Sequence, residues 1–311
     1  MTPEITVTFR VSPGGPFGVP EKGKTVSPAT PGEHYSETLH VRAGVVTGHP
    51  TLSTYREQAE RLNLEVTADS IRIRFVDNFA FVRVPTNDPS SALPAAVNAL
   101  DRLLQRLTLD QGRPFDFEAL IIEDEAKRLL FPVPSMLRLS GLCTYNLEEL
   151  AASVARCARS VSTTDERLER ALVYFDHAVF LWESTWSSSN PLARRSSMVI
   201  SAIFLNFWKA VTAILGDPAK RQDRFQRRYR DLGFGKDIKT KVDSLKRIRD
   251  DSDVAHYALD NTKQEEVSQA VGRARSIARE VILAYQSQLT EALGCAGQPT
   301  PAPAARRAGE A

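Results

Sequence analysis

The chain has 311 residues, of which 42% are hydrophobic and 25% charged, with a formal net charge of +2 at pH 7. That length and composition describe a globular protein with room for two domains. The small net charge excludes a global field that demands a polyanionic partner, so any nucleic-acid binding has to come from a local patch.

The cysteines Cys143, Cys157 and Cys295 are scattered and form no CxxC pair. This argues against a disulfide framework and a structural zinc site, and fits a reducing cytoplasm. Met1-Thr2-Pro3-Glu4-Ile5 shows no basic segment leading into an apolar one, so no signal peptide is expected. The most apolar segment, Met198–Leu215, is interrupted by Asn206 and Lys209 and reads as a core helix. The expected location is the cytoplasm, with no membrane partner.

In chain order, Ile5, Val7 and Phe9 alternate with Thr6 and Thr8, the period of a half-buried strand. A Gly/Pro-rich insertion at about 12–33 then breaks any ladder, and no helix start follows it to make a phosphate cradle. Leu39, Val41 and Ala43 resume a strand. Ile71–Val76 and Phe79–Val84 flank Asp77-Asn78, a two-residue hairpin signal. Leu93, Val97, Leu100, Leu103, Leu104 and Leu107 give Pro89–Leu107 a helical period. Phe115–Ile122 is a further strand, and Leu129–Val133 fits one more. Residues 1–140 therefore predict an α+β domain of antiparallel strands with one main helix. His40, Arg42, Arg72, Arg74 and Arg83 form either an anion-reading sheet face or the solvated side of the sheet.

The second half turns helical. Asn146 with Glu149 opens a helix carrying Leu147, Leu150, Val154 and Cys157 on one face. Thr163-x-x-Glu166 has the form of a capping box ahead of the stripe from Leu168 to Trp182. Asn190-Pro191 starts the next helix, which Gly216-Asp217-Pro218 stops. Lys220, Arg221, Arg224, Arg227 and Arg228, interleaved with Phe225 and Tyr229 and extended by Lys236, suit RNA backbone contacts and base stacking. The same residues also fit a solvated helix face, since Asp217, Asp223, Asp231 and Asp237 dilute the charge. Gly233-Phe234-Gly235-Lys236 lacks the spacing of a phosphate loop and reads as a turn. A second capping-box pattern, Thr262-x-x-Glu265, precedes the stripe from Val267 to Tyr285. The expected helical region spans 146–293, followed by a disordered Pro/Ala/Gly-rich tail at 294–311.

One stretch concentrates cation, carboxylate and imidazole: Lys246-Arg247-Ile248-Arg249-Asp250-Asp251-Ser252-Asp253-Val254-Ala255-His256-Tyr257. On a helix, positions seven apart fall roughly 20° from eclipsed, so Arg249 and His256 share a face. Asp253 precedes His256 by three and lies within reach of its ring. Arginine can grip a phosphate and histidine can move protons near neutral pH, a pairing suited to phosphodiester chemistry. The stretch equally describes a helix end laced with surface ion pairs. Asp176-His177 with Glu183 offers possible metal ligands, but His177 stands alone in an apolar helix and reads as packed there.

Arg249-Asp250 followed by His256, with six residues between Arg and His in an all-α context, resembles the signature of the HEPN superfamily of helical domains. The resemblance covers roughly 146–293 and leaves the first half aside. It implies an HEPN-like helical bundle acting as a metal-independent endoribonuclease, of the kind found in toxin–antitoxin and phage-defence systems. His256 would be general base or acid and Arg249 would bind the scissile phosphate. Asp250 would orient Arg249, or Asp253 would orient His256. The resemblance further implies RNA as substrate, no metal or cofactor, a homodimer whose two motifs share one cleft, and an antitoxin or sensor partner. Tyr257 directly follows His256, one residue earlier than in the tyrosine-bearing subgroup of the family. Other members are noncatalytic, so the alternative is an HEPN-like RNA- or protein-binding scaffold.

Overall fold

In a computed structural model the described residues are 4–12, 37–42, 45–50, 63–76, 79–124, 127, 129–133, 147–187, 197–217, 222–234, 236–251 and 261–296. Alternation along β1 (Ile5–Ser12) turns Ile5, Val7, Phe9 and Val11 to one face, where all four are fully buried. Six strands pair antiparallel in the order β4-β5-β6-β1-β7-β8, with β4 Asn63–Ala68, β5 Ile71–Val76, β6 Phe79–Val84, β7 Asp116–Asp124 and β8 Leu129–Pro132. The expected β5–β6 hairpin forms, with Val76 opposite Phe79; Asp77 and Asn78 themselves lie outside the described residues. A second two-residue hairpin joins β4 to β5. There Asp69 and Ser70 both take positive φ, 47° and 66°, as a primed two-residue turn requires.

Two helices cover the face bearing β1's apolar residues. Asp88 caps α1 (Pro89–Gln111), its carboxylate accepting from the backbone N–H groups of Ser90 and Ser91, and Gly112 ends it at φ 67°. Leu100, Leu103, Leu104 and Leu107 bury against the sheet. The apolar stripe of α2 (Leu147–Val161) enters this same core through Leu150, Val154, Cys157, Ala158 and Val161. The helix that the sequence groups with the bundle therefore packs beside α1.

The opposite sheet face is not a solvated basic surface. Thr8, Phe79 and Phe81 are buried at its centre, Arg72 donates to Glu4 at 2.6 Å, and Arg74 donates to Asn63 at 3.3 Å. His40 and Arg42 belong to β2 (Glu37–Arg42), which among the described residues pairs with β3 (Val45–Pro50) alone, in a separate two-stranded ribbon. The five basic residues thus do not share one sheet.

The second core belongs to α3 (Glu166–Ser187), α4 (Ser197–Leu215), α5 (Gln222–Asp231), α6 (Lys236–Asp251) and α7 (Asn261–Ala296). Asp165, rather than Thr163, caps α3 by accepting from the N–H groups of Arg167 and Leu168. α7 already starts at Asn261, so Thr262 sits inside the helix and not before it; the helix continues through Ala296, three residues into the expected tail. The remainder of the tail and the insertion from residue 13 onward lie outside the described residues.

By length and composition the Met198–Leu215 segment of α4 could cross a membrane, but 61% of it is buried inside the fold. Phe204, Phe207, Ala210 and Val211 line its packed faces, as in a bundle-core helix. The two cores meet at the C-terminal end of α1, where Leu109 joins the helical cluster. Arg279 of α7 donates to the carbonyls of Leu109 at 2.9 Å and Asp110 at 3.1 Å, and Arg275 donates to that of Gly112. Four backbone carbonyls are orphaned at any helix C-terminus, and here α7 supplies donors for three of the four positions from Leu109 to Gly112.

Candidate functional site

α6 presents Val242, Leu245 and Ile248 to the helical core at intervals of three, leaving its other faces polar. Arg249 is in its last turn, where a cation is favoured by the negative end of the helix dipole. Its guanidinium carbon lies 5.9 Å from the centroid of the Trp208 ring of α4. Trp208 is itself buried, while the Arg249 side chain retains 27% exposure. The stack fixes the arginine where solvent, or a ligand, can still reach it.

Asp250 adjoins this cation. Its carboxylate receives the Lys246 ammonium at 2.9 Å, one helical turn back, and stands 3.6 Å from Arg249 Nη1. The group Lys246–Asp250–Arg249 therefore carries a net single positive charge. Of the four expected catalytic residues, Arg249 and Asp250 come together at the end of α6. Asp253 and His256, and Tyr257 beside it, lie outside the described residues.

The basic segment resolves into separate roles. Arg224 and Arg227 are exposed on α5. Arg228 is half-buried and donates to the Ile214 carbonyl at 3.3 Å, closing the C-terminus of α4. Burial, with Arg167 and Arg224 nearby, disfavours its charge. Gly216 at φ 89° permits this approach, since a Cβ there would stand 3.3 Å from Arg228 Nη1.

Phe225 and Tyr229 are buried; their rings stack at 6.2 Å, and Phe234 packs 5.5 Å from Tyr229. The expectation that these aromatics stack on RNA bases fails, because the spacing that alternates them with arginines turns them into the core. Lys220 and Arg221 lie outside the described residues, as does the side chain of Lys236, whose backbone starts α6. Gly233, at φ 69°, makes the expected turn between α5 and α6.

His177 is exposed, contrary to the expectation that it packs in the core. Its neighbour Asp176 is half-buried with Oδ1 out of solvent, and its carboxyl is pushed up to about 6 by burial and by Asp101 and Asp116, against a favourable influence from the Thr108 hydroxyl. Neither Asp176 Oδ1 nor Thr108 Oγ1 has a well-aligned hydrogen-bond partner, so that hydroxyl is near but not in full bonding geometry. No three His, Cys, Asp or Glu side chains converge as metal ligands among the described residues.

Two features escaped the sequence reading. Arg106 is only 1% exposed and is held by Glu169 at 3.4 Å and by the carbonyl of Arg102 at 2.9 Å; Arg102 joins the same Glu169 at 3.2 Å. Beside this network a cavity opens between α1, α2 and α7. The available signal was Arg102 and Arg106 at i,i+4 within the leucine-rich run of α1. No protein-family model, curated protein or solved structure matches the chain.

Proposed function

We propose that the chain is a metal-independent endoribonuclease of HEPN type, acting through Arg249 and His256 across the cleft of a homodimer. One observation carries the reading: Asp250 is neutralised by Lys246 at 2.9 Å, leaving Arg249 as a positioned, partly exposed cation. Acids beside a phosphate-binding arginine oppose RNA unless they are paired. Here the nearest one is paired.

In this reading His256 accepts the proton of a ribose 2′-OH as that oxygen attacks the adjacent phosphorus. Arg249 holds the non-bridging oxygens while charge builds on them. The P–O5′ bond breaks and the 5′ oxygen takes a proton from the second subunit's imidazole. The products are a 2′,3′-cyclic phosphate and a 5′-hydroxyl. Arg224 and Arg227, exposed on α5, are available for backbone contacts with RNA. An antitoxin or a sensor ligand acting through the sheet domain would control the activity, as in a toxin or phage-defence protein.

The stack of Arg249 on Trp208 also favours a second reading, a noncatalytic HEPN-like module in which Arg249 only braces the bundle or its dimer. Expression of the wild type, Arg249→Ala and His256→Ala in a bacterial host, with light scattering on each purified protein, separates the two. Growth arrest by the wild type alone, with all three dimeric, supports the nuclease. Absence of arrest, with a dimer that Arg249→Ala dissociates, supports the scaffold.

A further inference from the structure

The cavity between the C-terminal end of α1, α2 and the C-terminal half of α7 encloses about 440 Å³, within the ~300–1,000 Å³ typical of small-molecule sites. Three arginines contribute to its lining: Arg106 from α1, and Arg156 and Arg159 from α2. Two acids, Asp110 and Glu291, also line it. Asp110 is already occupied, since Arg156 Nη2 donates to its two oxygens at 3.0 and 2.9 Å. The Arg159 guanidinium has no ion pair or hydrogen bond among the described residues. The lining thus holds one more positive than negative charge, and Arg159 is its unengaged cation among the described residues.

Beneath this wall is Arg106, 1% exposed, with an Nε–H that has no hydrogen-bond partner. A buried donor left unpaired is costly, and the deficit is larger on a charged group. Its only anionic partner among the described residues, Glu169, is shared with Arg102. In low-dielectric surroundings its charge extends into the adjoining cavity. Leu109 and Leu283 give the same cavity apolar walls, and Thr163 and Gln286 add neutral polar groups.

We propose that this cavity binds a small organic anion carrying a phosphate group, gripped by Arg159 with Arg106 beneath it, while its organic part lies against Leu109 and Leu283. Phosphate fits better than carboxylate. The cations reach the cavity from two different helices, and a tetrahedral group presents oxygens in several directions where a carboxylate presents one edge. The site uses none of the residues assigned to RNA cleavage and stands or falls independently of that reading. It lies where α7 clasps the end of α1, so an occupant would touch both cores at once.

The test is calorimetric titration and thermal melting of the full chain with AMP, inorganic phosphate and neutral adenosine at constant ionic strength. AMP is expected to bind and raise the melting temperature, phosphate to do so more weakly, and adenosine not at all. Arg159→Gln, at an exposed position that leaves the fold intact, is expected to weaken AMP binding at least about tenfold. Arg106→Met, checked for folding by circular dichroism, is expected to weaken it further. Failure of AMP and phosphate to bind, equal binding of adenosine, or unchanged AMP affinity in Arg159→Gln would each overturn the proposal.

Discussion

The Arg249 guanidinium lies over the Trp208 ring, 5.9 Å from its centroid, and this contact ties the end of α6 to the central helix α4. The tryptophan limits where the arginine can swing without taking its hydrogen-bonding edge. Trp208→Phe keeps an aromatic face but weakens the cation attraction, so on the nuclease reading it is expected to lower cleavage roughly fivefold, about 1 kcal/mol. Trp208→Ala empties a buried site and is expected to destabilise the fold by about 3–5 kcal/mol in urea denaturation.

Glu169 stands between two arginines, of which Arg106 is almost wholly buried. Glu169→Ala leaves that guanidinium without its carboxylate and is expected to cost roughly 2–3 kcal/mol, toward the lower end because Glu169 is itself partly exposed. The double variant Glu169→Ala/Arg106→Met, which removes both charges, should recover most of that loss. Equilibrium urea unfolding measures both, and a double variant no more stable than Glu169→Ala would contradict the assignment.

Burial, reinforced by Asp101 and Asp116, raises the Asp176 carboxyl to about 6. Its folded value exceeds its unfolded one, so the folded state holds the proton more tightly between about pH 4 and 6. The stability linked to this group is complete below about 4, falls as pH rises through 6, and is then constant. Asp176→Asn removes the ionisation and is expected to stabilise the protein on the order of 2 kcal/mol more at pH 7.5 than at pH 4, relative to the wild type. A difference that does not change with pH would contradict the buried-acid account.

Cys157 is buried in the sheet core, and burial, with Asp110 nearby, pushes its thiol up to about 12. Only the thiolate reacts, so iodoacetamide at pH 8 is expected to leave Cys157 unlabelled in the native protein and to label it in urea. Peptide mapping by mass spectrometry checks this directly.

The chemistry of the elements was legible where periodicity was strong. Alternation marked β1, β5 and β6, and the leucines of α1 marked its buried face. Partner choice was not legible. The stripe Leu150–Val154–Cys157 says that α2 must bury one face, but either core could receive it, and only the three-dimensional arrangement sends it to the sheet.

Phe225 and Tyr229 show the same limit at the candidate site. An arginine-aromatic alternation on a helix can face RNA or the core, and four-residue spacing put both rings on the inward side. Capping patterns misled by two residues at α3 because Asp165 outcompetes Thr163 for the free N–H groups. The cavity was invisible because its arginines come from helices separated by dozens of residues in sequence.

On the nuclease reading, Arg249 and His256 cut RNA together. Purified wild type, Arg249→Ala and His256→Ala are incubated with a labelled single-stranded RNA in EDTA, and product ends are identified by mass spectrometry. Metal-independent cleavage to 2′,3′-cyclic phosphate and 5′-hydroxyl ends is expected from the wild type, reduced at least about a hundredfold in each variant. Cleavage by both variants at the wild-type rate, or no cleavage by the wild type, would contradict that reading.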